Sequence, residues 1–178
     1  MRPSLVILDR DGVINFDSPD YIKSAEEWVP VPGSIDAIAR LHRAGIQVFV
    51  ATNQAGIARG KLTETSLAAI HEKMCAAVED AGGALDGIEY CPHHPDDECT
   101  CRKPQPGMLL RISEISGIGL KGQYFVGDSL KDIRAAEAAG CNPVLVLTGN
   151  GAETRRSRPS LPLVFDDLAA FVDAILED

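Results

Sequence analysis

Leu5-Val-Ile-Leu-Asp9-Arg-Asp11-Gly-Val-Ile-Asn15 is the stretch that decides the fold. Four consecutive apolar residues, two of them β-branched, predict a strand buried on both faces. The run passes directly into two carboxylates, two positions apart, and then a glycine. Strand alternation projects Asp9 and Asp11 to the same side at the carboxyl end, where open α/β sheets bind ligands. Two like charges held there are costly unless a cation or a proton-transfer task uses them. Asp-x-Asp-Gly is also an ordinary turn composition, so the rest of the chain must decide between the two readings.

Outward from that strand, the pattern repeats. Phe16 to Val31 is polar and poorly periodic, and reads as a flap over the strand ends. Pro32-Gly33-Ser34 opens a helix, with Ser34 as the expected N-cap and Gly45 closing it. Ile46 to Ala51 is a second buried strand followed at once by Thr52-Asn53-Gln54. A helix is expected from Thr63 to about Ala81, then a short strand at Asp86 to Cys91 leading into a loop of Cys and His. Pro106 to Ser116 reads as a helix, and Gln123 to Gly127 as a strand ending in Asp128. Lys131 to Ala139 is a helix closed by Gly140, and Pro143 to Leu147 a strand. Arg155-Arg-Ser-Arg158-Pro is expected to be a basic loop and Asp166 to Ile175 a final helix. Strictly alternating strands and helices imply a Rossmann-like α/β architecture, a parallel sheet with helices on both faces. Residues 1–178 are expected to form a single domain.

Composition narrows the partners. Hydrophobic residues make up 45% of the 178, as in ordinary globular chains. No apolar run approaches the ~20 residues that span a bilayer, and the residues before the first strand leave no room for an export signal. A cytoplasmic protein is expected. The net charge of −9 argues against nucleic acid or an anionic membrane as partner, while allowing a phosphorylated small molecule. No apolar interface stripe stands out, so a monomer is the default.

If the strands are parallel, their carboxyl ends gather Asp9, Asp11, Thr52, Asn53 and Asp128 on one edge, with Arg102 and Lys103 arriving on a loop. That set suits phosphoryl transfer to an aspartate. A carboxylate attacking a dianionic phosphate needs its repulsion cancelled, and Mg²⁺ between Asp9, Asp128 and the phosphate would cancel it. Lys103 and the Thr52 hydroxyl would hold the other phosphoryl oxygens. Asp11 would protonate the leaving alcohol and then activate water. These four pieces, in this order, resemble the haloacid dehalogenase superfamily of phosphatases: Asp9-Arg-Asp11-Gly-Val-Ile, Thr52-Asn-Gln, Lys103-Pro and Val126-Gly-Asp128-Ser. Val13 stands where many members carry threonine. The resemblance implies the haloacid dehalogenase fold, an aspartyl-phosphate on Asp9, and magnesium held among Asp9, Asp11 and Asp128. A phospho-accepting signalling domain shares the strand-end aspartates and lysine, but leaves Asp11 without a task.

Cys91-Pro-His93-His94-Pro-Asp-Asp-Glu-Cys99-Thr-Cys101 places three of the five cysteines within eleven residues. Three thiols and an imidazole make one tetrahedral zinc site, here Cys91, His93, Cys99 and Cys101, with His94 open as an alternative to His93. Four protein ligands leave no open position, so the zinc reads as structural, stiffening the loop that carries Arg102 and Lys103. This loop, with Asn15, Asp17 to Tyr21, Thr52 to Gly60 and Cys101 to Met108, resembles the D,D-heptose 1,7-bisphosphate phosphatase family and its relative, the histidinol-phosphate phosphatase family. The first resemblance implies removal of the 7-phosphate of D-glycero-D-manno-heptose 1,7-bisphosphate, on the route to the activated heptose of lipopolysaccharide. The second implies hydrolysis of histidinol phosphate. Carried over by motif, Arg10, Asn15, Asp17, Asp20 and Tyr21 would contact substrate. So would Asn53, Gln54, Arg102 and Ser129. The short flap implies a minimal cap, and the preferred anomer is left open.

Other features carry less. Gly117-Ile-Gly119-Leu-Lys-Gly122 spells a dinucleotide fingerprint but follows a helix and precedes a strand, the reverse of the required order. Cys75 and Cys141 read as buried small side chains. His42 and His71 read as solvated or half-buried helix positions, and Trp28 as flap packing. Asp132 either supports Asp128 or caps its own helix.

Overall fold

In a computed structural model describing residues 2–177, Leu5–Leu8 is the strand β1, followed by the helix α1 at Ser34–Arg43. Next come β2 (Gln47–Asn53), α2 (Glu64–Asp80), β3 (Gly87–Cys91) and α3 (Gly107–Ser116). The chain ends with β4 (Tyr124–Gly127), α4 (Leu130–Ala139), β5 (Asn142–Val146), α5 (Gly151–Ser157), β6 (Val164–Phe165) and α6 (Leu168–Leu176). All pairings in the six-stranded sheet are parallel, in the order β3-β2-β1-β4-β5-β6. This doubly wound order turns back beside β1, the crevice where such sheets bind ligands.

Two cores explain the strand sequences. Val6, Leu8, Val48, Val50 and Val126 face one layer with α1, α2 and α6. Leu5, Ile7, Phe49, Ala51 and Phe125 face the other, with α3 and α4. Every residue of β1 is therefore wanted apolar, which is why its sequence does not alternate. Thr63 caps α2 as expected, its hydroxyl accepting from the Ser66 amide. Ser34 does not cap α1. Gly33 takes that position at φ 83°, and the Ser34 hydroxyl donates instead to the Ile14 carbonyl (2.6 Å), tying α1 to the turn after β1.

Two elements differ from expectation. The stretch containing Arg155 and Arg156 is helical rather than a basic loop. It has no apolar stripe to reveal it. Its anchor is Thr154, whose hydroxyl donates to the Asp128 carbonyl (2.8 Å). The strand β6 has two residues, too few for any periodicity. The flap holds one short 3₁₀ turn at Ala25–Glu27. Trp28 is buried in the core, with the Lys73 ammonium 5.8 Å from its ring centroid and bonded to its carbonyl (3.0 Å). Packing, not sugar stacking, is its part. Among the described residues no helix is long and apolar enough to cross a membrane.

Candidate active site

The carboxyl ends of β1, β2 and β4 open into a cleft of about 450 Å³, with Asp9, Asp11, Thr52, Lys103 and Asp128 on its wall. At its centre is Lys103, 2% exposed. Its ammonium donates to Asp9 Oδ1 (2.9 Å), Asp132 Oδ1 (2.7 Å) and the Ala51 carbonyl (2.9 Å). Asn53 holds the lysine's backbone in place, donating to its carbonyl and accepting from its amide, both at 3.0 Å. Asp9 Oδ1 also accepts from the Arg10 amide (2.8 Å), so among the described residues Oδ2 keeps its lone pairs free.

Asp128 is fixed from the other side. Its Oδ2 accepts from the Asn150 amide (2.8 Å) and side chain (3.2 Å). Two glycines make room for it. A Cβ on Gly12 (φ 86°) or Gly149 (φ 56°) would overlap the Asp128 carboxylate, so neither position tolerates another residue. Burial, then repulsion from Asp132, pushes the Asp128 carboxyl up to about 7. Burial and the same neighbour hold Asp9 well above the usual carboxylate range, against the opposing pull of Lys103. Burial works against the Lys103 ammonium, but Asp132 and Asp9 outweigh it and its pKa is raised.

Asp9, Asp128 and Asp132 form a close carboxylate cluster. With one ammonium among three carboxylates, the formal charge is −2, which one divalent cation cancels. The free ligands are not equal. Asp132 Oδ1 holds Lys103, and its Oδ2 accepts from the Asp128 amide, the Ser129 amide and the Ser129 hydroxyl. Asp9 and Asp128 are then the carboxylates that could hold a magnesium ion, a donor set that suits a hard cation sharing phosphate oxygens. Asp132 does both tasks expected of it, capping α4 and supporting its neighbours.

Asp11, expected as a third magnesium carboxylate, is not in that cluster. Its side chain is turned to other donors. Oδ1 accepts from Arg10 Nε (2.8 Å) and Asn15 Nδ2 (2.9 Å), and Oδ2 from Gln54 Nε2 (3.3 Å). Arg10, Asn15 and Gln54, expected at the substrate, are thus buried supports of Asp11 and do not line the cleft. Asp20 is also away from it, paired with Lys23 (3.2 Å) and Lys61 (3.5 Å) at the surface. Asp17, Tyr21, Asn53, Arg102 and Ser129 do line the cleft. Two residues missed from the sequence join them, Lys131 and Asn150. Among the described residues Arg102 Nη1 is buried without a partner, and Lys131 has its pKa lowered by burial and by the Arg102 cation. Two cations together in an acidic protein form an anion-seeking lobe beside the carboxylates.

The thiol and imidazole loop closes on itself. Cys91 Sγ, Cys99 Sγ, Cys101 Sγ and His93 Nδ1 lie 3.2–3.6 Å apart in every bonded pair. A tetrahedron with Zn–S near 2.3 Å has edges of about 3.8 Å, so the four atoms stand close to the corners one zinc ion requires. His94 lies outside this cluster. Its Nδ1 accepts from the Asp96 amide (3.2 Å), capping a short turn. Metal analysis of protein purified without chelator should find about one zinc per chain. Cys99→Ser should lose it and lower Tm by about 2–8 °C, the effect of ~1–2 kcal/mol in a chain this long. Protein that is metal-free yet equally stable would count against zinc here.

Residues 100–171 match the HAD-hydrolase-like family model. Over 178 residues, 99% of this chain and 100% of the relative, the chain is 55% identical to the D-glycero-beta-D-manno-heptose-1,7-bisphosphate 7-phosphatase of Pseudomonas aeruginosa. It is 40% identical to the enzyme of that name from Escherichia coli K12, covering 96% of this chain and 92% of the relative. Among solved structures, the D,D-heptose 1,7-bisphosphate phosphatase from Bordetella bronchiseptica, complexed with magnesium and phosphate, superposes with a TM-score of 0.94 at 50% identity and 98% of both chains.

Proposed function

From the chain's membership of the D-glycero-beta-D-manno-heptose-1,7-bisphosphate 7-phosphatase family, to which it belongs by identity along nearly its whole length, we propose that it removes the 7-phosphate of D-glycero-D-manno-heptose 1,7-bisphosphate. The β anomer is the preferred form, since the relatives are named for it. This reaction lies on the route to the activated heptose of lipopolysaccharide. The observation that carries the reading is the meeting of Lys103 with Asp9 at 2.9 Å beside Asp128. It brings four separated motifs into one cleft.

Asp9 is the nucleophile. One of its carboxylate oxygens forms a bond to phosphorus as the bond from phosphorus to the C7 oxygen breaks, and Asp11 gives its proton to that departing oxygen. Asp11, now a carboxylate, takes a proton from water as the water attacks the phosphorus of phospho-Asp9. Inorganic phosphate leaves and the Asp9 carboxylate returns. Lys103 and the Thr52 hydroxyl balance charge on the phosphoryl oxygens throughout. Asp9 and Asp128 would hold magnesium, which would supply neutralisation of the phosphate charge. Arg102 and Lys131 are suited to the second phosphate of the substrate. The whole chain acts as one domain, as a monomer in the cytoplasm.

Phosphate release with Mg²⁺ tests this directly, comparing both anomers of the bisphosphate with histidinol phosphate. The β-bisphosphate should lead histidinol phosphate by about 100-fold or more in kcat/KM, because the cationic lobe would otherwise stay unpaired. Equal turnover, or preference for histidinol phosphate, would move the enzyme to a different substrate with the same chemistry.

A further inference from the structure

Strand alternation sends Arg10 to the opposite side of β1's end from Asp9 and Asp11, toward α2. There its guanidinium is fully buried, and every nitrogen has a neighbour. Nε donates to Asp11 Oδ1 (2.8 Å). Nη2 lies 2.8 Å from the same oxygen, as an ionic contact without hydrogen-bond geometry. Nη1 lies 3.2 Å from His71 Nε2. A guanidinium only donates, so Nε2 must accept and the imidazole proton sits on Nδ1. His71 is therefore neutral. Burial and the Arg10 cation, partly opposed by Asp11, hold its pKa down to about 4. Tyr90, with its ring centroid 6.3 Å away, is its aromatic neighbour.

We infer that His71 is a positioning residue for the proton-handling Asp11, acting through Arg10, whose guanidinium plane it pins from the far end. This rests on the phosphatase reading above. The consequence is local and atomic. Arg10 Nε and Asn15 Nδ2 both load Asp11 Oδ1, while among the described residues Oδ2 has only the longer Gln54 contact. With Arg10 pinned, Oδ2 is the atom that gives the proton to the leaving C7 oxygen and then takes one from water. Without His71, the guanidinium can swing about its remaining bond to Asp11, and the carboxyl loses its fixed orientation. The loss falls on proton transfer and not on substrate binding, because neither His71 nor Arg10 lines the cleft.

The test is steady-state kinetics on the bisphosphate with Mg²⁺ for His71→Leu and His71→Gln. His71→Leu should lower kcat by about tenfold to a hundredfold while KM stays within roughly twofold. His71→Gln, whose side-chain carbonyl accepts from Nη1, should recover kcat to within roughly threefold of the parent protein. In an Asp11→Asn background, His71→Leu should slow the enzyme by less than about twofold, since residues acting as one unit are not additive. Should Leu fail to fold, His71→Asn, too short to reach Nη1, takes its place. Parent-like kcat in His71→Leu, no rescue by Gln, or an undiminished effect in the Asp11→Asn background each overturns the inference while leaving the phosphatase intact. A parent protein that releases no phosphate overturns both.

Discussion

Asp9→Asn is expected to cut phosphate release by on the order of 10⁴-fold or more while leaving the melting temperature at or above that of the parent protein. The catalytic loss follows from chemistry, because an amide oxygen cannot form the acyl phosphate that a carboxylate forms. The stability gain follows from electrostatics. Asp9 sits in a cluster with Asp128 and Asp132, and its pKa is raised by burial and by Asp132. For a carboxyl raised in this way, the stability present below the unfolded value of about 3.9 is lost as pH rises through the folded pKa. At pH 7 the burial of Asp9 among its acidic neighbours therefore costs stability in metal-free protein, and Asn removes that cost. The Asn oxygen still accepts from the Arg10 amide and Lys103. Kinetics and thermal melts without added magnesium together check the claim. Residual turnover above about a hundredth of the parent rate would remove Asp9 from the nucleophile's position.

The centre of this site was legible because its residues violate the habits of the elements that carry them. Apolar β1 runs into Asp9, apolar β2 into Thr52 and β4 into Asp128, and each breach marks the ligand edge of a parallel sheet. Lys103 was legible through the motif beside it, and the zinc loop through crowding of thiols. Arg10 follows the same rule with the opposite result, for the alternation that puts Asp9 and Asp11 on one side puts Arg10 on the other, away from the cleft. His71 follows Leu67 by one helical turn, next to the stripe of Leu67, Ile70, Met74 and Val78 that packs into the core. Sequence gives its half-burial, not its partner, because Arg10 reaches it across the packing between α2 and the turn after β1. Lys131 and Asn150 were missed for a similar reason. Each enters the cleft from a helix start or loop whose path is set by glycines and hydrogen bonds, not by periodicity.

Lys103→Met is expected to be the most damaging single change to the folded state as well as a severe one for turnover. Among the described residues the Lys103 ammonium is the one cation bonded to Asp9 and Asp132, and it is almost wholly buried. Its pKa is raised against the cost of burial by Asp132 and Asp9. A raised lysine contributes stability that is fully present below its unfolded value near 10.4 and is lost only as pH rises through the folded value. At pH 7 the contribution is complete. Methionine fills the slot but leaves three buried carboxylates facing one another, and removing one partner of a buried pair costs about 3–5 kcal/mol. In a chain of this length that lowers Tm by about 6–20 °C. Turnover should fall by about 10²–10³, the loss expected for one preorganised donor to the transferring phosphoryl group. Two further measurements separate the two effects. Lys103→Met combined with Asp132→Asn should regain much of the lost Tm, because the stranded charge is gone, but none of the lost kcat. Magnesium should also raise the Tm of Lys103→Met by more than it raises that of the parent, since the cation then meets a formal charge of −3 in place of −2. An unchanged Tm for Lys103→Met would mean that the carboxylates are held protonated without the lysine, and that charge balance is not what this residue provides.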